Sequence, residues 1–163
     1  MLQMNKLKET VLKNIATMAF VGYSPIAPGT AGTAVTMLIV YFLKPSTLIL
    51  FMLIAVSFII GVSASSSAEI TFKKKDCSYI IIDEFVGSLI TVAFIPQTAI
   101  NLVLAFFIFR IFDIIKPPPA RQFEYIFKGG LGVMMDDVAA GIYANIAVHI
   151  IIITDSWQHH LTL

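Results

Sequence analysis

Three joints in this chain set acidic residues against apolar runs: "IIIDEFVGSLI", "FRIFDIIKPPPAR" and "GGLGVMMDDVAAG". They hold Asp83, Glu84, Asp113, Asp136 and Asp137, with Arg110 and Lys116 each three residues from Asp113. An ionised Asp at mid-membrane costs about 2.5–3.5 kcal/mol on an insertion scale, so such groups persist when paired, metal-bound or hydrated. Clustered carboxylates suit a hard divalent cation, and Mg²⁺ is commonly shared between protein oxygens and a substrate phosphate. Arg110 adds a bidentate fork and Lys116 a point charge, which together suit a phosphate. The candidate Mg²⁺ ligands are therefore Asp83, Glu84, Asp113, Asp136 and Asp137.

Each feature also has a plainer explanation. Acids in a helix's first turn are favoured by the macrodipole, and Asp113 could serve only as an internal ion-pair partner of Arg110 and Lys116. In "SPIAPGT", Gly29 and Thr30 could approach a phosphate closely, or could simply form a Pro-Gly turn with a threonine cap. Capping accounts for either acidic pair alone, but less well for both together with Asp113. In each pair a glycine follows an aspartate by four residues, Gly87 after Asp83 and Gly141 after Asp137. Small residues at that spacing let helices approach closely and would bring the two acidic pairs together.

The elements that must position these groups are apolar. Of 163 residues, 58% are hydrophobic and only 13% charged, whereas an ordinary soluble domain is about half apolar and a quarter charged. Five apolar segments, at 31–43, 47–67, 79–95, 98–115 and 138–154, predict an all-α, polytopic transmembrane bundle of about five helices. The amphipathic stretch "MLQMNKLKETVLKNIATMAF" precedes them and reads as a helix on the membrane surface. Residues 1–163 form a single integral-membrane domain on this reading.

Lys6, Lys8 and Lys13, the run Lys73–Lys75, and Lys116, Arg121 and Lys128 fall on alternate connections. Positive-inside bias then places the N-terminus and every unusual acid on the cytoplasmic side, and the C-terminus outside, after five crossings. Trp157 reads as an interfacial anchor.

Several chemistries are set aside. The net charge is +1, with no basic stripe for nucleic acid. Cys77 is the only cysteine, so there is no disulfide framework, and no arginine follows it at the spacing of a cysteine phosphatase loop. His149, His159 and His160 lie at or beyond the last segment, away from the acids, and no Asp-x-Asp pair occurs. Glu69 and Asp76 flank the three lysines, where a solvated loop is the default.

In this order and at matching spacing, "SPIAPGTAGT", "IIIDEFVG", "FRIFDIIKPPPAR" and "GGLGVMMDDVAAG" resemble the bacterial phosphatidylglycerophosphatase A family over about residues 17–145. The resemblance implies a Mg²⁺-dependent phosphatase of the bacterial inner membrane that converts phosphatidylglycerophosphate to phosphatidylglycerol. By it, Asp83 and Glu84 fall on the family's Asp-Glu pair. Arg110, Asp113, Lys116 and Pro117 fall on its Phe-Arg-x-x-Asp-x-x-Lys-Pro motif, and Asp136 and Asp137 on its Asp-Asp pair. Gly29 and Thr30 match its Pro-Gly-Thr loop, and Glu69 and Asp76 its upstream acids. The chain departs at "MAFVGY", which is less glycine-rich than the family pattern. Substrate contacts are expected from Gly29, Thr30, Arg110, Lys116 and Arg121.

Three other readings compete: an ion-coupled transporter, a non-enzymatic subunit that binds anionic lipid, and a phosphatase of another lipid phosphate. A transporter would distribute acids through the membrane depth, and a lipid-binding subunit leaves five carboxylates unexplained. The residues alone do not read the headgroup. They also leave water and an aspartate open as the nucleophile.

Overall fold

Helices account for nearly all of the regular structure in the computed structural model. It describes the backbone of residues 2–75 and 77–161 and the side chains of residues 6–75, 77–123 and 126–155. The expectations for Asp76, Trp157, His159 and His160 lie outside the described side chains. Seven α-helices follow in order: α1 (Leu2–Ala16), α2 (Pro28–Leu43), α3 (Thr47–Phe72), α4 (Ile82–Thr91), α5 (Ala99–Ile115), α6 (Ala120–Ile126) and α7 (Gly130–Leu161). No strand occurs among the described residues.

Local chemistry sets most of the boundaries. Pro28 opens α2, where its missing N–H costs nothing. Lys44 ends α2 in the left-handed region, and Pro45 prevents its continuation. Ser46 and Thr98 cap α3 and α5, their hydroxyls accepting from the amides of Ile49 and Asn101. Lys116 closes α5 with a φ of 45°, and three prolines follow. Left-handed backbone also occurs at Met18, Ala19 and Phe20, with φ of 45°, 47° and 85°. These residues lie in the stretch that departs from the glycine-rich family pattern, and glycine is the residue that adopts such backbone without strain.

α7 is the hub, packing against α3, α4, α5 and α6, while α2 lies on α4 and α5 and α1 on α3. The segments alternate in direction between two ends. At one end Gly29 of α2 lies against Glu84 of α4 and Arg110 of α5. At the other, Gln97 Nε2 donates to Pro45 O at 2.9 Å, joining the α4–α5 and α2–α3 connections.

The outward faces are apolar. Ile100, Val103, Phe107, Ile111 and Ile114 line the exposed side of α5, and Ile142, Ile146, Ile150 and Ile153 that of α7. Both series recur every three or four residues, the stripe that a soluble helix would turn inward. Buried positions on α7 include a run of small residues, Ala139, Ala140, Gly141 and Ala144, beside Val133, Met134 and Val148. Such an inside-out distribution is that of a membrane protein.

By length and hydropathy, α3 and α7 are the two helices able to cross a bilayer among the described residues. The third apolar segment, 79–95, is not a spanning helix. α4 has 10 residues, a length of about 15 Å against a hydrocarbon core of about 30 Å. Its continuous hydropathy comes from burial within the bundle: Val86, Ser88, Leu89 and Thr91 are all essentially inaccessible. α2 and α5, with 16 and 17 residues, lie between these cases.

Candidate active site

The acidic pairs meet through their glycines. A Cβ on Gly141 would lie 2.5 Å from the Gly87 carbonyl oxygen, and one on Gly87 would lie 2.7 Å from the Asp137 carbonyl oxygen. α4 and α7 therefore touch backbone to backbone one turn beyond their acids. The result is a group in which Asp83, Glu84 and Asp137 each place a carboxylate oxygen within 4.8 Å of the others.

These carboxylates are buried, and two of their oxygens are unanswered. Glu84 Oε2 and Asp137 Oδ2 are inaccessible and have no hydrogen-bond partner. A buried polar atom in that state costs about 1–3 kcal/mol, and more when charged. One oxygen of each neighbouring aspartate is used locally: Asp83 Oδ1 accepts from the Glu84 amide at 3.1 Å, and Asp136 Oδ1 from the Asp137 amide at 2.9 Å. A hard divalent cation fits this donor set, since it would satisfy the two orphaned oxygens with the all-oxygen ligands it prefers.

The macrodipole does not account for Asp136 and Asp137. α7 begins at Gly130, eight residues before the expected apolar segment, so the pair lies in its second turn, beyond the reach of the helix terminus. Asp136 and Asp137 are only 3% and 2% exposed.

Cations complete the group. Arg110 Nη1 lies 2.6 Å from Asp113 Oδ2 and 4.0 Å from Glu84 Oε1, ion-pair contacts without hydrogen-bond geometry, and both Nη1 and Nε are buried without a hydrogen-bond partner. Lys116 does not join Asp113 in one stripe along α5. Its backbone leaves the helix, and its ammonium pairs with Asp136 on α7. Burial opposes the charge of Lys116, but Asp137, Asp136 and Asp113 outweigh it and hold the ammonium above the ordinary lysine value. The seven expected charged residues thus form one assembly, its four aspartates buried and Glu84, Arg110 and Lys116 partly so, with two parts. Asp83, Glu84 and Asp137 make an open acidic triad, and Arg110–Asp113 and Lys116–Asp136 are ion pairs beside it.

Gly29 belongs to the same assembly. A Cβ there would overlap Glu84 Oε1 and stand 3.2 Å from Arg110 Nη1. Thr30 follows in the first turn of α2 and is half-buried. Arg121 is exposed on α6. Glu69 lines a separate pocket with Lys73, Lys74, Lys75 and Gly129. His149 lies ~20 Å along α7 from Asp136, with Nδ1 2.9 Å from the Asn145 carbonyl oxygen.

Two supporting residues were not anticipated. Asn145 Nδ2 donates to Thr91 O at 3.0 Å and Ala93 O at 2.8 Å, satisfying carbonyls where α4 stops. Tyr143 Oη donates to Pro118 O at 3.1 Å and tethers the turn after Lys116. A lone asparagine within an apolar helix was the available signal for the first.

The family described as phosphatidylglycerophosphatase A matches residues 14–152. The chain belongs to the phosphatidylglycerophosphatase A family. A phosphatidylglycerophosphatase A of Haemophilus influenzae is 36% identical over 157 residues, covering 91% of this chain and 95% of that one. The phosphatidylglycerophosphatase A of Escherichia coli is 37% identical over 123 residues, 74% of this chain and 72% of that one. A putative phosphatidylinositol-3-phosphatase of Bacteroides thetaiotaomicron is 40% identical over 136 residues, 78% of this chain and 84% of that one. No solved structure matches. As a member of the phosphatidylglycerophosphatase A family, the protein is a phosphoric monoester hydrolase, and the resemblance drawn from its four motifs is correct.

Proposed function

We propose that this protein removes the terminal phosphate of phosphatidylglycerophosphate, in a Mg²⁺-dependent reaction at the cytoplasmic face of a bacterial inner membrane that it crosses several times. The observation that carries the reading is the open triad of Asp83, Glu84 and Asp137 beside the unpartnered Nε of Arg110. Family membership and the relatives from Haemophilus influenzae and Escherichia coli support the substrate. The lysines of α1 and of residues 73–75 support a cytoplasmic placement of the site.

Asp83, Glu84 and Asp137 would hold Mg²⁺, with Asp136 and Asp113 supporting them from their ion pairs. When bound, the ion neutralises phosphoryl oxygens and helps position the nucleophile. Arg110, whose Nε and Nη1 have no hydrogen-bond partner, would donate to the phosphoryl group, with Asp113 holding the guanidinium by their ion pair. Lys116, held by Asp136, adds positive charge where it accumulates on the phosphoryl oxygens during ester cleavage. Water attacks phosphorus and the P–O bond to the glycerol breaks. A carboxylate of the group accepts the proton from water and returns it to the departing glycerol oxygen. The burial of these groups strengthens each electrostatic contact.

The relative from Bacteroides thetaiotaomicron favours a second substrate, phosphatidylinositol 3-phosphate. One experiment separates the two. Detergent-purified protein is assayed for phosphate release from phosphatidylglycerophosphate, phosphatidylinositol 3-phosphate and phosphatidic acid, each with Mg²⁺ and with EDTA. Mg²⁺-dependent release from the first alone is expected. Release from the second alone reassigns the substrate, and release undiminished by EDTA removes the metal.

A further inference from the structure

α2 and α5 meet at the acidic assembly and separate beyond it, leaving an apolar groove of about 670 Å³. Ala34, Met37 and Leu38 form one wall, and Leu102, Val103 and Phe106 the other. The groove starts close to the charged site. Ala34 is five residues past Gly29, ~7.5 Å along α2, and Phe107 is one turn before Arg110. It ends at Tyr41 and Ala99. From Gly29 to Tyr41 is ~18 Å along the helix axis, close to the ~15 Å of one leaflet's hydrocarbon.

We propose that the groove between α2 and α5 receives one acyl chain of the lipid substrate, with Ala34 at the headgroup end. The inference rests on the lipid-phosphatase reading and adds a determinant of chain length to it. Three relationships carry it. The groove lies between the two helices that supply Gly29 and Arg110. Its walls are almost wholly apolar, with Tyr41 at the far end, while the groups suited to an anionic phosphate stand at the other. Its far end, measured from Gly29, lies at about the depth of one leaflet's hydrocarbon, while the groove itself, from Ala34 to Tyr41, covers ~10 Å of that path. The groove aligns the substrate more than it attracts it, because a chain leaving surrounding lipid gains little from apolar contact alone. Holding the tail fixes the approach of the phosphate to Arg110, and orientation of this kind acts on rate.

The test compares dipalmitoyl and dihexanoyl substrates in detergent for the wild type, Ala99→Trp, Ala34→Phe and Ile59→Trp. Ile59 is exposed on α3, outside the groove. Ala99→Trp should lower kcat/KM for the dipalmitoyl substrate by about tenfold and leave the dihexanoyl substrate unchanged. Ala34→Phe should impair both substrates, and Ile59→Trp neither. Equal effects of Ala99→Trp on both chain lengths, or none on either, would overturn the proposal. A wild type inactive on both substrates defeats the phosphatase reading and the groove assignment with it.

A second measurement needs no variant. A diazirine at the end of the substrate's acyl chain should label α2 and α5 around Tyr41 and Ala99 in the wild type. The same diazirine on phosphatidylcholine should label this region far less. Equal labelling by the two lipids would make the groove ordinary lipid-facing surface and defeat the proposal. So would a dimer whose interface covers it.

Discussion

Gly87 and Gly141 bring α4 and α7 into backbone contact, with no room for a methyl group between the Gly141 Cα and the Gly87 carbonyl. That contact sets the separation of Asp83 from Asp137, one turn away on each helix. Overpacking a close contact costs about 1–3 kcal/mol. Gly141→Ala should therefore lower the Tm in detergent and cut phosphate release by more than the stability loss explains. Unchanged activity in a folded variant would separate the glycine contact from the site.

The acidic triad makes a prediction about metal binding that does not depend on turnover. Asp137→Asn keeps the shape of the side chain but removes a charge. It should reduce activity by at least about a hundredfold and weaken Mn²⁺ binding measured by electron paramagnetic resonance. It should also leave the Tm unchanged or raised, because a buried, unpaired carboxylate oxygen is replaced. Asp83→Asn should lower activity and Mn²⁺ binding in the same way. Normal Mn²⁺ affinity in both variants would exclude the triad as the metal site.

Gly29 separates activity from stability. Alanine is the better helix former by about 1 kcal/mol, yet a Cβ at this position would overlap Glu84 Oε1. Gly29→Ala should keep helix content by circular dichroism while losing most phosphatase activity. Full activity would show that Glu84 can move without consequence.

The loop before α2 is strained at three successive non-glycine residues. Left-handed backbone costs an L-residue roughly 1–2 kcal/mol, and Ala19 has a φ of 47°. Ala19→Gly should raise the Tm by a few degrees without altering activity. A lowered Tm would mean that the alanine methyl contributes packing that outweighs the strain.

The acids could be read from the sequence because carboxylates beside apolar runs are conspicuous, and the Asp–x–x–x–Gly spacing in both pairs anticipated the contact between Gly87 and Gly141. Their partners could not be read in full. Lys116 stands three residues after Asp113, and helical periodicity puts them on one face. The left-handed turn at Lys116 breaks that register and sends the ammonium to Asp136. The length of α4 was hidden for a related reason. Burial inside protein and exposure to lipid both select apolar residues, so residues 79–95 looked like one span although the helix stops at Thr91. The start of α7 was hidden by "GGLG", whose glycines suggest a loop while the structure begins the helix at Gly130.

The early end of α4 has a consequence for biogenesis. The carbonyls of Thr91 and Ala93 have no next helical turn to satisfy them, and their donor, Asn145, lies more than fifty residues later in the chain. In lipid, unsatisfied backbone groups of this kind are costly. A chain made only as far as α4 therefore lacks the side-chain donor that these two carbonyls have in the folded protein. The helix of Asn145, α7, also brings Asp136 and Asp137. On the proposed reading, completing the fold and completing the catalytic group should be one late event in synthesis, and a chain truncated before its last helix should be inactive.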